Sequence, residues 1–178
     1  MRPTRIAVWI AALTLVVASV LAYPGLPESI PKNLDINGAA SSFAPKTPLN
    51  WGLPLIIGIA VLIMTDVITA LIPGRVHLIN FPGKEQLVAL PKEYQAEAVA
   101  MTQRFMDLVN LFIVITFALV QYGMWRTAHG APQSSISMLL VVLGVVPLFL
   151  TGFFVIRIQS AVDDAQRRYE SRRNPLKA

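Results

Sequence analysis

Four long apolar stretches dominate the pattern of the chain, at residues 6–22, 51–72, 106–125 and 136–156. A helix needs about 17 to 25 mostly apolar residues to cross the roughly 30 Å hydrocarbon core of a bilayer. Each stretch meets that requirement. The pattern therefore predicts an all-α membrane protein with four transmembrane helices, forming one domain over residues 1–158, followed by a polar tail over residues 159–178.

The first stretch has two interpretations. A basic start, an apolar run and the small residues near Ala22 resemble a secretory signal peptide with its cleavage site. The apolar run is at the long end for a signal core, however. We therefore expect the first helix to be retained in the protein.

Basic residues near the ends of the stretches predict the orientation, because lysine and arginine are disfavoured from crossing the membrane. Twelve of the 15 lysines and arginines precede the first stretch, lie between the second and third, or follow the fourth. The other three are Lys32, Lys46 and Arg126. We expect both termini and the central loop to be cytoplasmic, and the first and last loops to lie outside.

The loop between the first two stretches is rich in proline. Five prolines between positions 24 and 48 prevent a regular helix and favour extended conformations in the residues before them. Asn37-Gly38 is a turn signal. We expect an ordered, non-helical, extracytoplasmic loop with apolar anchors at Leu26, Ile30, Leu34, Ile36 and Phe43.

The start of the second stretch also contains a proline. Pro54 is predicted in the first turn of the helix, where its missing amide hydrogen has little cost. The stretch ends at Pro73-Gly74, which predicts the end of the helix.

The central polar segment contains a predicted amphipathic helix. Pro91 suits a helix start, and Tyr94, Ala98, Met101 and Phe105 lie roughly on one face. We expect this helix, over residues 91–103, to run without a break into the third span.

The fourth span is expected to continue beyond the membrane. Ile158, Val162, Ala165 and Tyr169 keep helical spacing after the last apolar residues. The tail is therefore predicted to be a cytoplasmic helical extension that ends near Pro175.

Asp66 lies about two thirds of the way along the second stretch. A carboxylate at such a depth is costly unless it is paired, protonated or near the interface, so it marks a candidate functional site. A structural role is the alternative, with Thr65, Thr69, Arg75 or Arg104 as hydrogen-bonding or ionic partners. Contact with a partner protein is a third interpretation.

Two further polar residues belong to the same region. Asp107 and Asn110 lie one turn apart at the start of the third span. We expect them to meet the end of the second helix that carries Asp66. A small polar cluster on the cytoplasmic side is the resulting prediction.

The chain has few groups for catalysis or cofactor binding. Its 178 residues are 54% hydrophobic and contain no cysteine, which excludes disulfides, cysteine-ligated metals and thiol catalysis. His77 and His129 are predicted on opposite sides of the membrane and so do not share a metal site. Phosphate-binding, zinc-protease and nucleophile-elbow motifs are absent from the sequence. We expect no enzyme activity and no cofactor.

The net charge of +5 does not indicate a nucleic-acid partner. The basic residues flank the apolar stretches, where anionic headgroups and control of orientation account for them. Membrane lipids are the expected partners of these charges.

The segment LPESIPKNL at residues 26–34 carries a resemblance. Together with the later Gly38 and Lys46, it resembles the pattern Leu-Pro-x-x-Ile-Pro-x-His-Phe, glycine, lysine of a bacterial four-span membrane family of unknown function, which includes the N-terminal part of the toxin-immunity protein SdpI. The segment Asn80-Phe81-Pro82 and the helix after it are also similar to the family. The resemblance spans about residues 6–158 and implies a location in the bacterial cytoplasmic membrane. The loop residues that become candidates for partner binding are Leu26, Pro27, Ile30, Pro31, Asn33, Gly38 and Lys46.

The chain departs from the family pattern at two positions. Asn33 and Leu34 stand where the family has histidine and phenylalanine. A role that needs an imidazole in this loop is therefore not implied. The chain also has four spans, whereas the longer immunity proteins have more.

Three functions are compatible with this architecture. The first is a non-catalytic accessory or scaffolding subunit that packs against other integral membrane proteins of a larger complex. The second, implied by the resemblance, is an immunity or signalling receptor for an extracellular peptide. The third is a small transporter component that uses Asp66. A partner protein would also contact the tail, through Arg157, Arg167 and Arg168.

Overall fold

Long helices coincide with the four apolar stretches. The computed structural model describes residues 2–34, 40–78, 80, 83–131 and 134–174, and the side chains of these residues except 34, 78 and 134–143. Short 3-10 turns occupy Tyr23–Gly25, Ile72–Gly74 and Val76–Leu78. In chain order the helices and strands are α1 (Pro3–Ala22), β1 (Ser29–Leu34), β2 (Ala40–Pro45), α2 (Pro48–Leu71), α3 (Lys84–Ala89), α4 (Lys92–Ala128) and α5 (Ser134–Arg173).

Helices α1, α2, α4 and α5 are each long and apolar enough to cross a membrane, by length and composition. This finding confirms the prediction of a mostly helical, multi-pass membrane protein. Helix α4 has 37 residues and α5 has 40. At about 1.5 Å per residue, both are longer than a hydrocarbon core of roughly 30 Å. The helix predicted over residues 91–103 is largely part of α4, which runs on without a break. The polar tail continues α5 as far as Arg173.

Helix α2 begins earlier than the apolar pattern predicts. The Thr47 hydroxyl accepts a hydrogen bond from the amide of Asn50 at 3.1 Å, and Pro48 occupies the first helical position. Threonine at the N-cap and proline at the next position are both favoured at helix starts. Pro54 consequently lies inside the helix, in its second turn, and its prediction in the first turn is wrong.

The proline-rich loop contains a two-stranded antiparallel sheet, which the hydrophobic pattern did not predict. Strand β1 pairs with β2 from Ser29 opposite Pro45 to Leu34 opposite Ala40, with irregular register around Asn33. Prolines leave the backbone extended but remove amide donors, so the pairing is short and irregular. The all-α prediction therefore applies to the spans and not to this loop. We call β1 and β2 the hairpin.

Contacts divide the chain into two compact units, and the divisions fall within helices. Unit 1 comprises Met1–Met64 and Val109–Pro147. It has one apolar cluster around Val8 and Leu62, and another around Ile30. Gly58 lies against Phe117, and a Cβ at Gly58 would be 2.6 Å from that ring, so any larger residue would have to displace it.

Unit 2 comprises Thr65–Leu108 and Leu148–Ala178. Its apolar core joins α3, the start of α4 and the end of α5 through Leu87, Ala98 and Val162. The rings of Tyr94 and Tyr169 meet edge to face with centroids 5.5 Å apart. The tail helix is therefore packed within this unit along its apolar face.

Candidate functional site

Lys46 fastens the hairpin to the turn that follows α1. Its ammonium group donates to the carbonyl oxygens of Pro24 at 3.0 Å and Leu26 at 2.7 Å. The backbone amide of Lys46 donates to the carbonyl of Glu28 at 2.8 Å, and the ammonium nitrogen lies 5.4 Å from the Tyr23 ring centroid. Hydrogen bonds from a charged donor are stronger than neutral ones. Lys46 thus fixes the end of β2 on the beginning of the loop.

Apolar residues of the loop motif fill the space beneath the hairpin. Leu26 and Ile30 are buried in one cluster with Trp51 of α2 and Met124 of α4. Pro31 is also fully buried. These three motif residues therefore hold the hairpin on the helix ends and offer no surface to a partner.

Other motif residues face outward. Pro27 and Asn33 are exposed, and the Asn33 amide nitrogen donates to the Ser42 hydroxyl at 3.2 Å. Phe43, predicted to be an apolar anchor, is instead 56% exposed. Alternation along a strand explains this, because every second side chain of β2 points away from the helices. Gly38, like Ile36, lies outside the described residues.

A buried polar network joins α1, α2 and α4 near the hairpin. The indole nitrogen of Trp51 donates to the Ser19 carbonyl at 2.9 Å. The amide nitrogen of Gln121 donates to the Ser19 hydroxyl at 3.0 Å and to the Trp51 carbonyl at 3.1 Å. Both hydrogens of that amide are therefore used. The Gln121 side-chain oxygen, Oε1, is buried and accepts no hydrogen bond from any described residue.

An open groove adjoins this network. It has a volume of about 300 Å³ and lies between α1 and α4, with part of its wall from Trp51. The small side chains of Ala18 and Ala118 line it, together with Tyr122 and Trp125 of α4. Gln121 also lines it. We call this cavity the hairpin-end groove.

His129 links the end of α4 to the turn after α1. Its Nδ1 lies 2.8 Å from the Trp125 carbonyl oxygen, and its Nε2 lies 3.2 Å from the Gly25 carbonyl oxygen. Both partners are acceptors. A neutral imidazole has one N–H and can donate to one of them, whereas the protonated ring donates to both.

The predicted polar residues of the spans are buried. Asp66 is 6% exposed, and Asp107 and Asn110 are each 2% exposed. Asp66 and Asp107 belong to unit 2, and Asn110 to unit 1. In unit 2, the Gln103 amide nitrogen donates to the Thr69 carbonyl at 3.2 Å, which brings α2 and α4 together one turn from each carboxylate.

The Thr69 hydroxyl does not serve Asp66 as a donor. It donates to the Thr65 carbonyl, one turn earlier, at 2.7 Å. A threonine hydroxyl has a single proton, so this bond commits it to the helix backbone. Of the partners considered for the Asp66 carboxylate, the Thr69 hydroxyl is thus engaged elsewhere.

The arginines of the tail differ in their surroundings. Arg168 pairs with Glu97 of α4, and this hydrogen bond and the carboxylate charge raise the pKa of the guanidinium. Arg157 is exposed, with its guanidinium 6.0 Å from the Phe153 ring centroid. Arg167 is exposed and lines a wide cleft in unit 2 with Gln86. Arg157 and Arg167 are thus open to a partner, and Arg168 is already engaged within the chain.

The described residues contain no group of three or more His, Asp or Glu side chains that could hold a metal ion. The chemistry available at the hairpin end is hydrogen bonding and apolar contact.

Comparison with known protein families found a match to part of the chain. A family model described as a domain of unknown function, DUF1648, matches residues 9–58. These residues are most of α1, the hairpin and the first turns of α2. No curated protein and no solved structure matches the chain. The similarity therefore covers the segment that Lys46 and Ile30 hold together.

Sequence reasoning missed Gln121 as a site residue. It stands at the end of an apolar span beside Tyr122 and Trp125, and such aromatic residues are typical of the membrane interface. Its burial is visible only once three helices surround it. The available signal was an uncharged polar residue at the start of this aromatic segment.

Proposed function

We propose that this protein is a non-catalytic integral membrane protein of the bacterial cytoplasmic membrane, with both termini in the cytoplasm. It acts as an accessory or scaffolding subunit that packs against other integral membrane proteins and stabilises a larger complex. The resemblance of the loop to the bacterial family and the distribution of basic residues support the location.

The exposed Phe43 side chain is the observation that carries the proposal. It projects from a hairpin fixed by Lys46 and by the fully buried Ile30. Aromatic residues are enriched at protein interfaces, and a rigid support reduces the entropy lost on binding. A partner protein outside the membrane would cover this ring.

Affinity isolation in a mild detergent tests the proposal. Proteins that accompany the tagged chain are identified and quantified, for the natural sequence and for Phe43→Ser. Ser41→Ala is the matched control, because Ser41 is exposed on the same face of β2. Partners in fixed ratio that are lost with Phe43→Ser and kept with Ser41→Ala support the subunit function. A chain isolated alone or only as a homo-oligomer contradicts it.

Contacts of the tail are tested with a point variant. Removing residues from Asp163 onward would delete Ala165, which is part of the core of unit 2. Arg167→Ala leaves that core and the Arg168–Glu97 pair in place. If Arg167→Ala loses a cytoplasmic partner but keeps the Phe43-dependent partner, then Arg167 and Phe43 contact different partners.

The second candidate function is an immunity or signalling receptor for an extracellular peptide. The resemblance of the loop motif to a family that includes a toxin-immunity protein supports it, because the hairpin carries that motif. Cells that express the chain would survive a toxic peptide, and Phe43→Ser would remove the protection. Survival that is equal with and without the chain would exclude this function for that peptide.

A further inference from the structure

We propose that the hairpin-end groove binds a single-chain lipid that carries a free hydroxyl next to its acyl chain, such as a monoacylglycerol. The acyl chain lies along α1 and α4, and the hydroxyl donates to Oε1 of Gln121. This inference does not depend on the proposed function, since a subunit or a receptor could each hold such a lipid.

The unused acceptor is the first argument. A buried polar atom without a partner is destabilising, so native structures leave few of them. Gln121 is 4% exposed, and its amide nitrogen is held by Ser19 and Trp51. The side chain therefore cannot turn to satisfy Oε1 without breaking two other hydrogen bonds. A donor from outside the described residues is needed, and a hydroxyl supplies one.

The position of Gln121 is the second argument. Its partner Ser19 lies three residues before the end of α1, and Trp51 lies three residues after the start of α2. Three residues of helix correspond to about 4.5 Å. Oε1 is thus about one turn inside the spans, where the chains of a lipid meet its polar part. Donors located farther out, in a phosphate headgroup, are displaced from this level.

The size and lining of the groove are the third argument. A volume of about 300 Å³ is at the small end of ligand sites, which suits one chain better than two. Leu15, Ala18 and Ala118 present carbon atoms along its length. Trp125 is 38% exposed and Tyr122 is 50% exposed, in keeping with aromatic residues at a membrane interface. Oε1 is itself covered, so side chains around it must move before a hydroxyl can reach it.

Quenching of tryptophan fluorescence tests the inference on the full chain in phospholipid nanodiscs. Trp51 and Trp125 line the groove, whereas Trp9 packs in the other cluster of unit 1, so Trp9→Phe removes the background signal. The probe is a monoacylglycerol with a brominated chain, titrated against its dimethyl ether, in which both hydroxyls are methylated and no hydroxyl donor remains. One good hydrogen bond should let the hydroxyl form quench at about fivefold lower mole fraction.

Groove-filling variants complete the test. Ala118→Leu should abolish the difference between the two probes. Ala7→Leu is the matched control, because Ala7 is an exposed alanine of α1 that does not line the groove. Ala18→Leu fills the groove from α1, in case Ala118→Leu does not fold. Equal quenching by the two probes overturns the inference, as does a difference that survives both groove-filling variants. Stronger quenching by a brominated two-chain phospholipid than by the brominated monoacylglycerol also overturns the inference.

Discussion

The Lys46 ammonium group donates to the Leu26 carbonyl at 2.7 Å, across 20 residues of the proline-rich loop. A second bond, to Pro24, places the same charge on the turn that leaves α1. Proline cannot donate a backbone hydrogen bond, and a loop rich in it must close by other means. A lysine side chain at the end of β2 supplies that closure.

Replacing this lysine should loosen the hairpin. Lys46→Met keeps the length of the side chain and removes both donors, and charged hydrogen bonds contribute about 1.5 to 3 kcal/mol each when their partners are buried. The Leu26 bond is only partly buried, so we expect the lower end of that range. Amide hydrogen exchange over residues 26–34 should become faster. Lys32→Met, at an exposed position of β1, is the control. Equal exchange in the two variants would contradict the role of Lys46.

Close packing at Gly58 predicts sensitivity to a single methyl group. Gly58→Ala should lower the unfolding temperature, because the new Cβ would overlap the Phe117 ring and overpacking costs about 1 to 3 kcal/mol. Gly52→Ala is the control in the same helix, since its nearest contact would be an ordinary 3.9 Å. Thermal unfolding in detergent, followed by circular dichroism, makes the comparison. Equal melting temperatures for the two variants would show that the Phe117 ring on α4 moves aside at little cost in stability.

The tail of α5 should depend on packing more than on its ion pair. Leu87→Ala removes a core side chain that is 1% exposed and should cost about 2 to 5 kcal/mol. Arg168→Gln removes a pair in which both side chains are more than half exposed, and solvent screens such pairs strongly. We expect rapid proteolysis of the tail in the first variant and nearly unchanged proteolysis in the second. Faster proteolysis of the tail in Arg168→Gln than in Leu87→Ala would instead attribute the stability of the tail to its ion pair.

Orientation in the membrane can be tested because the chain contains no cysteine. Ser41→Cys places a thiol on exposed β2, and Ser171→Cys places one on the exposed tail. A membrane-impermeant maleimide added to whole cells should label the first and reach the second only after lysis. The opposite labelling would reverse the proposed orientation.

The spans were predictable because helices in lipid leave a simple trace in sequence. A run of apolar residues long enough to cross the core is required whatever the helix packs against. The continuation of α4 from Tyr94 into the third span could be predicted as well, since one helical period joins them. Pro54 was misplaced because the N-cap at Thr47 is polar and lies outside the apolar run.

The hairpin-end site was only partly predictable. Lys46 belongs to a motif that the sequence displays. Phe43 was predicted to be an apolar anchor of the loop, whereas its side chain is exposed. Whether an apolar side chain of the loop is an anchor depends on strand register, which prolines at irregular spacing conceal. The direction of Phe43 therefore needed the paired strands.

Sequence alone determined the spans, the amphipathic start of α4 and the helical tail, since each rests on periodicity within one segment. Tertiary structure alone decided that Gln121 is buried against Ser19 and Trp51 with its oxygen unused. It also decided that Gly58 must be small beside Phe117. Hydrogen bonding and close packing depend on neighbours from distant parts of the chain, and hydrophobic periodicity carries no record of which neighbours those are.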